Sequence, residues 1–281
     1  CHRNRDRGQR RAGNVSTDVT GDRNRVVEVV VADAIATVTL NRPEQMNAIT
    51  VELGEQLRAA IADSSARSDV NVVVVRGSGG NFCAGGDFAE VERLRAVGAD
   101  GLRELFVNFS RACAAVADSP VPVVAVVEGV AMAGGFEFMQ AADIVLVRDD
   151  ARIADNHIRF GQLPGGGSTQ RLPRIVGRQR ALGLLLSGVR LSGAEAVEQG
   201  LAYASWPAET FEDETTAFIR TLAGRKRDAV IGIKRLVQHA MTTDLDTGLA
   251  AELDAVVAHI GGDAGADGVS AFGSRATAGN R

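Results

Sequence analysis

Three cysteines, Cys1, Cys83 and Cys113, are odd in number and widely separated, which leaves no disulfide framework and no CxxC metal site. Such a chain suits a reducing cytoplasm. No window approaches the run of about eighteen apolar residues that a membrane-spanning helix needs, and no apolar signal core stands near the N-terminus. Charge of one sign is not in excess either. Lys and Arg number 31 against 35 Asp and Glu, a net charge of −4, so nothing points to a nucleic-acid or membrane partner. The nucleotide signatures are missing as well. Gly77-Ser78-Gly79-Gly80-Asn81-Phe82 has Phe82 where the last glycine of a dinucleotide fingerprint belongs, and Gly165-Gly166-Gly167-Ser168-Thr169 lacks the P-loop lysine.

What is present is a chain of 281 residues, 45% hydrophobic, enough for one large core or one core plus a small appended domain. The arginine-rich residues 1–25 and the glycine- and alanine-rich residues 261–281 have the composition of disordered tails. The N-terminal stretch lacks the amphipathic apolar face of an organelle presequence and reads as an extension.

Between the tails, strand and helix signals alternate. Val26 to Val31 and Ala34 to Leu40 predict a hairpin, and Thr50 predicts the N-cap of a helix with Leu53, Leu57, Ala60 and Ile61 on one face. Helices are expected near Asp87 to Arg95 and Leu102 to Ala117, a strand at Ile144 to Val147, and a brief pairing at Arg152 to Ala154. Further helices are expected at Gln170 to Val176 and Arg178 to Leu186, with a short one capped by Ser192. Leu201 to Ser205 reads as strand, and only helices follow Trp206. In the last of these, Val230, Ile233, Val237 and Met241 make an apolar stripe suited to a core or a subunit interface. Repeated strand-to-helix units indicate a largely parallel α/β architecture, and the pattern alone fits a doubly wound sheet or a spiral.

Two of these units share a design. Val123 to Val127 is a β-branched run followed by Glu128-Gly129-Val130-Ala131-Met132-Ala133-Gly134-Gly135-Phe136-Glu137; Val72 to Val75 is followed by a glycine turn and Phe82-Cys83-Ala84-Gly85-Gly86-Asp87. Each feeds a helix N-terminus, where unpaired N–H groups and the helix dipole favour a negatively charged oxygen. Two such ends converging on one oxygen would form the donor pair that acyl-transfer and enolate chemistry require. Glu137, three positions after Gly134, can reach an atom held by that N–H. Cys83 has no histidine near it in sequence and reads as a small buried side chain.

Together with Leu40-Asn41-Arg42-Pro43-Glu44-Gln45-Met46-Asn47-Ala48 and Leu163-Pro164-Gly165-Gly166-Gly167-Ser168-Thr169-Gln170-Arg171-Leu172, these stretches resemble the crotonase (enoyl-CoA hydratase/isomerase) superfamily from roughly Val26 to Val237. The resemblance implies a spiral of ββα units over residues 26–205 and a C-terminal helical domain over 206–260 that forms a homotrimer or a dimer of trimers. It implies a coenzyme A thioester as substrate, no permanently bound cofactor and no metal. It places the oxyanion hole at Gly86 and Gly134 and the thioester along Ala84, Gly86, Asp87, Phe88, Ala89 and Gly134. It makes Glu137 the first of the hydratase's two catalytic glutamates.

The second family glutamate falls on His157. This is the main departure, and with it the choice of reaction opens. Imidazole exchanges protons near neutrality, so acid–base work is retained in principle. Hydration of an enoyl-CoA is the reaction expected, with Glu137 handling water and His157 the α-proton; the missing carboxylate argues against isomerisation. Some β-diketone hydrolases of the superfamily resemble this chain in carrying a histidine there, but they also carry an aspartate where this chain has Gly166, so thioester or carbon–carbon hydrolysis is the alternative. A non-enzymatic scaffold is a third, opposed by the glycines and Glu137. Asp155, two residues before His157, reads as a solvated loop aspartate that could also orient the imidazole.

Overall fold

The computed structural model describes residues 25–262 and Gly265. Almost all of the N-terminal tail 1–25, and the tail 261–281 apart from its first two residues and Gly265, lie outside them. The chain opens with the expected hairpin, β1 (Val27–Ala32) antiparallel to β2 (Ile35–Leu40), turning through Asp33 and Ala34 at positive φ. Thr50 then caps α1 (Val51–Ala66) by accepting from the Leu53 amide. There follow β3 (Val72–Gly77), α2 (Phe88–Val97), α3 (Ala99–Asp118), β4 (Val123–Val127), β5 (Val130–Met132) and α4 (Gly134–Ala141). After them come β6 (Ile144–Arg148), β7 (Arg152–Ala154), α5 (Ser168–Val176), α6 (Arg178–Ser187) and α7 (Gly193–Glu198). The strand β8 (Ala204–Trp206) and the helices α8 (Ala208–Ala223), α9 (Arg227–Ala240) and α10 (Leu245–Gly261) complete the order.

One sheet runs β1-β2-β3-β4-β6-β8, parallel from β2 onward. Its central strands are apolar on both faces, as buried parallel strands must be. Along β3, Val73 and Val75 enter the core beneath α1 and α3, while Val72 and Val74 enter a second core with Phe211, Ile219 and Ala223 of α8. A second, shorter layer lies beside the sheet. Ile49 pairs with Gly86, Cys83 with Ala131, β5 with β7, and Ile153 with Leu191. Each turn of the chain therefore makes a long strand, a short strand and a helix before starting again, which is the ββα spiral and not the doubly wound sheet.

Two boundaries and one helix face differ from expectation. The helix carrying Glu137 begins at Gly134, inside the glycine-containing stretch that was expected to lead into it. The last strand is Ala204–Trp206 and not Leu201 to Ser205; Leu201 and Ala202 instead close the end of α7 through amides donated to the Ala196 carbonyl. In α9 the stripe is not core: Ile233, Val237 and Met241 are exposed. What ties α9 down is Lys234, whose buried ammonium donates to Asp143 Oδ2 at 2.6 Å and to the Val116 and Val121 carbonyls at 2.8 and 3.0 Å.

Candidate active site

The short layer brings two unspent amides together. In the parallel bridge at Ile49, the Ile49 amide donates to Gly85 O and the Asp87 amide donates to Ile49 O, which leaves the intervening Gly86 N–H unused. Gly134 opens α4, and among the described residues neither its amide nor that of Gly86 donates to a carbonyl or side chain. The two segments nearly touch. A Cβ placed on Gly85 would stand 2.6 Å from Ala133 Cβ and 3.3 Å from Gly134 N, so no side chain fits there. Ala133 holds φ 48° and ψ −115°, a strained pair for a residue with a Cβ, while its amide donates to Ala154 O in β7.

Glu137 lies one turn along α4 and is 2% exposed. Its Oε1 accepts from the Gly166 amide at 2.7 Å and the Ser168 amide at 3.1 Å, the second at the start of α5. Burial raises the Glu137 pKa above the ordinary 4.5, against those two bonds and the charge of His157. Ser168 Oγ in turn accepts from Gln140 Nε2 at 2.8 Å, so the loop that grips Glu137 is tied back to α4. The Phe109 ring of α3 closes this corner. A Cβ on Gly134 would come within 3.5 Å of it, and one on Gly166 would meet it at 2.3 Å and Glu137 Oε2 at 2.7 Å.

His157 begins a 3-10 turn, His157–Phe160, just beyond β7. Its Nδ1 lies 2.7 Å from Asp155 Oδ1, and its backbone N–H donates to the same oxygen at 3.3 Å. The solvated aspartate of the sequence reading is wrong here: Asp155 is 2% exposed, because it leaves β7 facing into the body of the protein. Burial pulls the imidazole pKa down, but Asp155 and Glu137 pull it up and prevail, so it stands above the ordinary 6.5. Glu137 and His157 thus lie within electrostatic reach of each other.

A sequence profile of the enoyl-CoA hydratase/isomerase family matches residues 31–278. The chain belongs to that family. A probable enoyl-CoA hydratase of Rhodobacter capsulatus is 32% identical over 226 residues, covering 79% of this chain and 84% of its own. The 1,2-epoxyphenylacetyl-CoA isomerase of Escherichia coli is 32% identical over 225 residues, covering 80% and 86%. The crystal structure of an enoyl-CoA hydratase from Bacillus anthracis superposes with a TM-score of 0.83 at 29% identity, over 89% of this chain and 96% of that one. The crotonase fold expected from the motifs is the fold observed.

Within this crotonase fold, the segment expected along the thioester is partly exposed to solvent. Gly86, Phe88 and Ala89 are exposed and Ala84 half-buried at the start of α2. Asp87 is already engaged, its amide donating to Ile49 O, its carbonyl accepting from Val91 N, and its carboxylate accepting from Glu90 N as the α2 cap and pairing with Arg42 Nη2 at 2.8 Å. Cys83 is the inert small residue expected, its thiol pushed up to about 12 by burial. An aspartate at position 166, as in the β-diketone hydrolases, would displace both Phe109 and Glu137; the likeness to those enzymes rests on His157 alone. Three participants escaped the sequence reading. Phe109 had no distinguishing signal, and the Gly166 and Ser168 grips are backbone amides. Asp155, spaced two residues from a histidine, is legible in the sequence as able to orient the imidazole, and only its burial is not.

Proposed function

We propose that the protein adds water across the double bond of an α,β-unsaturated acyl-coenzyme A thioester, with coenzyme A entering as part of the substrate and no permanent cofactor. Membership of the family makes it a crotonase-type acyl-CoA enzyme; the choice of hydration rests on the pairing of Glu137 with His157 beside two free amides. The thioester oxygen accepts from Gly86 N and Gly134 N, the latter at the positive end of α4, and these donors favour the enolate over the ground-state carbonyl. Both amides that grip Glu137 fall on Oε1, which leaves Oε2 for water. The carboxylate takes one proton as the oxygen attacks the β-carbon, and the imidazolium of His157 gives one to the α-carbon. Water supplies the hydroxyl, and the proton left on Glu137 passes through solvent to His157, restoring the one given to the α-carbon, so the net addition is one water.

Hydrolysis of a thioester or of a β-dicarbonyl carbon–carbon bond is the second reading, favoured by the histidine and opposed by the crowding at Gly166. Mass spectrometry of products from enoyl-, acyl- and β-ketoacyl-CoA panels separates them. Hydration gives an increment of one water without fragmentation from the enoyl panel, and His157→Gln loses most of that turnover. Fragmentation, or no product from any enoyl-CoA, would overturn it.

A further inference from the structure

Asp155 buries a carboxylate where the fold gains little from one. Its Oδ1 serves both the ring and the backbone of His157, while Oδ2, equally buried, has no hydrogen-bond partner. Leaving a buried carboxylate oxygen unpaired is unfavourable, and a serine could hold the same backbone N–H without burying a second polar atom. The residue is also rigidly placed. It follows Ala154, whose carbonyl accepts from Ala133, the residue that aims the Gly134 amide, so the carboxylate and the oxyanion donor hang from one joint between β5 and β7.

We propose that Asp155 is the positioning residue of an acid–base dyad, holding His157 through Nδ1 so that Nε2 is the nitrogen turned to the substrate's α-carbon. The direction of proton transfer rests on the hydration reading; the dyad itself does not. The charged groups that bear on the ring are Asp155, from the end of β7, and Glu137, from α4. Arg159, in the same 3-10 turn, directs its Nε to the Gly188 carbonyl beyond α6. Among the described residues two carboxylates and no cation act on the ring, which favours the imidazolium, the acid that α-carbon protonation needs at neutral pH. In that step the Nε2–H bond breaks, its electron pair stays on the ring, and the proton joins the α-carbon. The neutral ring keeps its proton on Nδ1 because Asp155 accepts it, so Nε2 is again the free base.

Nitrogen-15 NMR of the full chain with labelled histidine, with His157 assigned by its loss in His157→Gln, tests this. Neutral His157 should carry its proton on Nδ1. In Asp155→Asn the titration midpoint of His157 should fall by about one unit or more, and kcat by about a hundredfold or more with KM little changed. The alkaline limb of the rate profile should move down with the midpoint. A purely structural aspartate would leave midpoint and limb where they were, and either an unchanged midpoint or a neutral wild-type ring protonated on Nε2 overturns the proposal. The tautomer is read on wild type, so it decides even if Asp155→Asn does not fold. Because tautomer and midpoint need no turnover, a protein that hydrates no enoyl-CoA would sink the hydration reading alone.

Discussion

Glu137→Gln exchanges one oxygen for nitrogen and leaves the surroundings in place. The glutamine Oε1 can accept from Gly166 N and Ser168 N as the carboxylate does, at 2.7 and 3.1 Å, so the loop and α4 stay joined. The base is what disappears. A positioned general base is worth about 10²- to 10⁴-fold, or roughly 3 to 5.5 kcal/mol at about 1.4 kcal/mol per factor of ten. We expect kcat for crotonyl-CoA to fall by that factor with thioester affinity unchanged, since the carbonyl is held by other amides. Stability should move the opposite way. Burial is the largest influence on Glu137 and raises its pKa above 4.5, so the folded protein favours the protonated form. That contribution is complete below the ordinary glutamate value and is lost as pH rises through the raised one. An amide is neutral throughout. The variant should therefore melt above wild type at pH 7, by a margin that closes as pH falls below about 4.5. Scanning calorimetry at both pH values and steady-state kinetics measure the pair. Wild-type turnover would remove Glu137 from the mechanism, and a folded variant melting lower at pH 7 would refute the burial argument.

Lys234→Met should destabilise by about 3 kcal/mol, the low end for breaking a buried pair because Asp143 keeps some solvent. Burial disfavours the charged form of both partners despite their contact, so the double variant Lys234→Met/Asp143→Leu should recover much of the loss in denaturant melts. A double variant no more stable than the single one would refute this. Helix α10 has no buried residue, and Leu249, Leu253, Val257 and Ile260 are exposed along it beside Ile233 and Val237 of α9. These apolar residues support a trimer or dimer of trimers as the assembly we propose. Light scattering should give three or six copies for wild type and a smaller species for Leu253→Arg; a wild-type monomer at micromolar concentration would reject it.

The hairpin, the Thr50 cap and the central strands were legible because each writes a side-chain pattern: alternation, a hydroxyl at a boundary, β-branched runs. The glycine pair was legible because a turn that admits no Cβ restricts composition. The short layer was not. β5 and β7 are three residues each, too short for a period to register, and their order comes from long-range pairing. The grip on Glu137 is made by main-chain amides, which any residue carries. Burial of Asp155 depends on where β7 ends, and the exposure of α9 depends on Lys234 reaching the β4 and β6 ends instead of the stripe packing inward.

The short layer also works as a ruler. Neighbouring strands in a sheet stand about 4.8 Å apart, and Gly86, Gly134 and the Asp155–His157 pair occupy three successive rungs of it, although 71 positions of chain separate the first from the last. The spacing between oxyanion donors and proton carrier is thus set by backbone pairing and not by the helices looping out between rungs. One rung can change its chemistry, as glutamate to histidine, without moving the other two. A scaffold measured in this way can be reassigned to a new proton-transfer problem by exchanging residues at a single step, with the pair of amides that we propose for the thioester left in place.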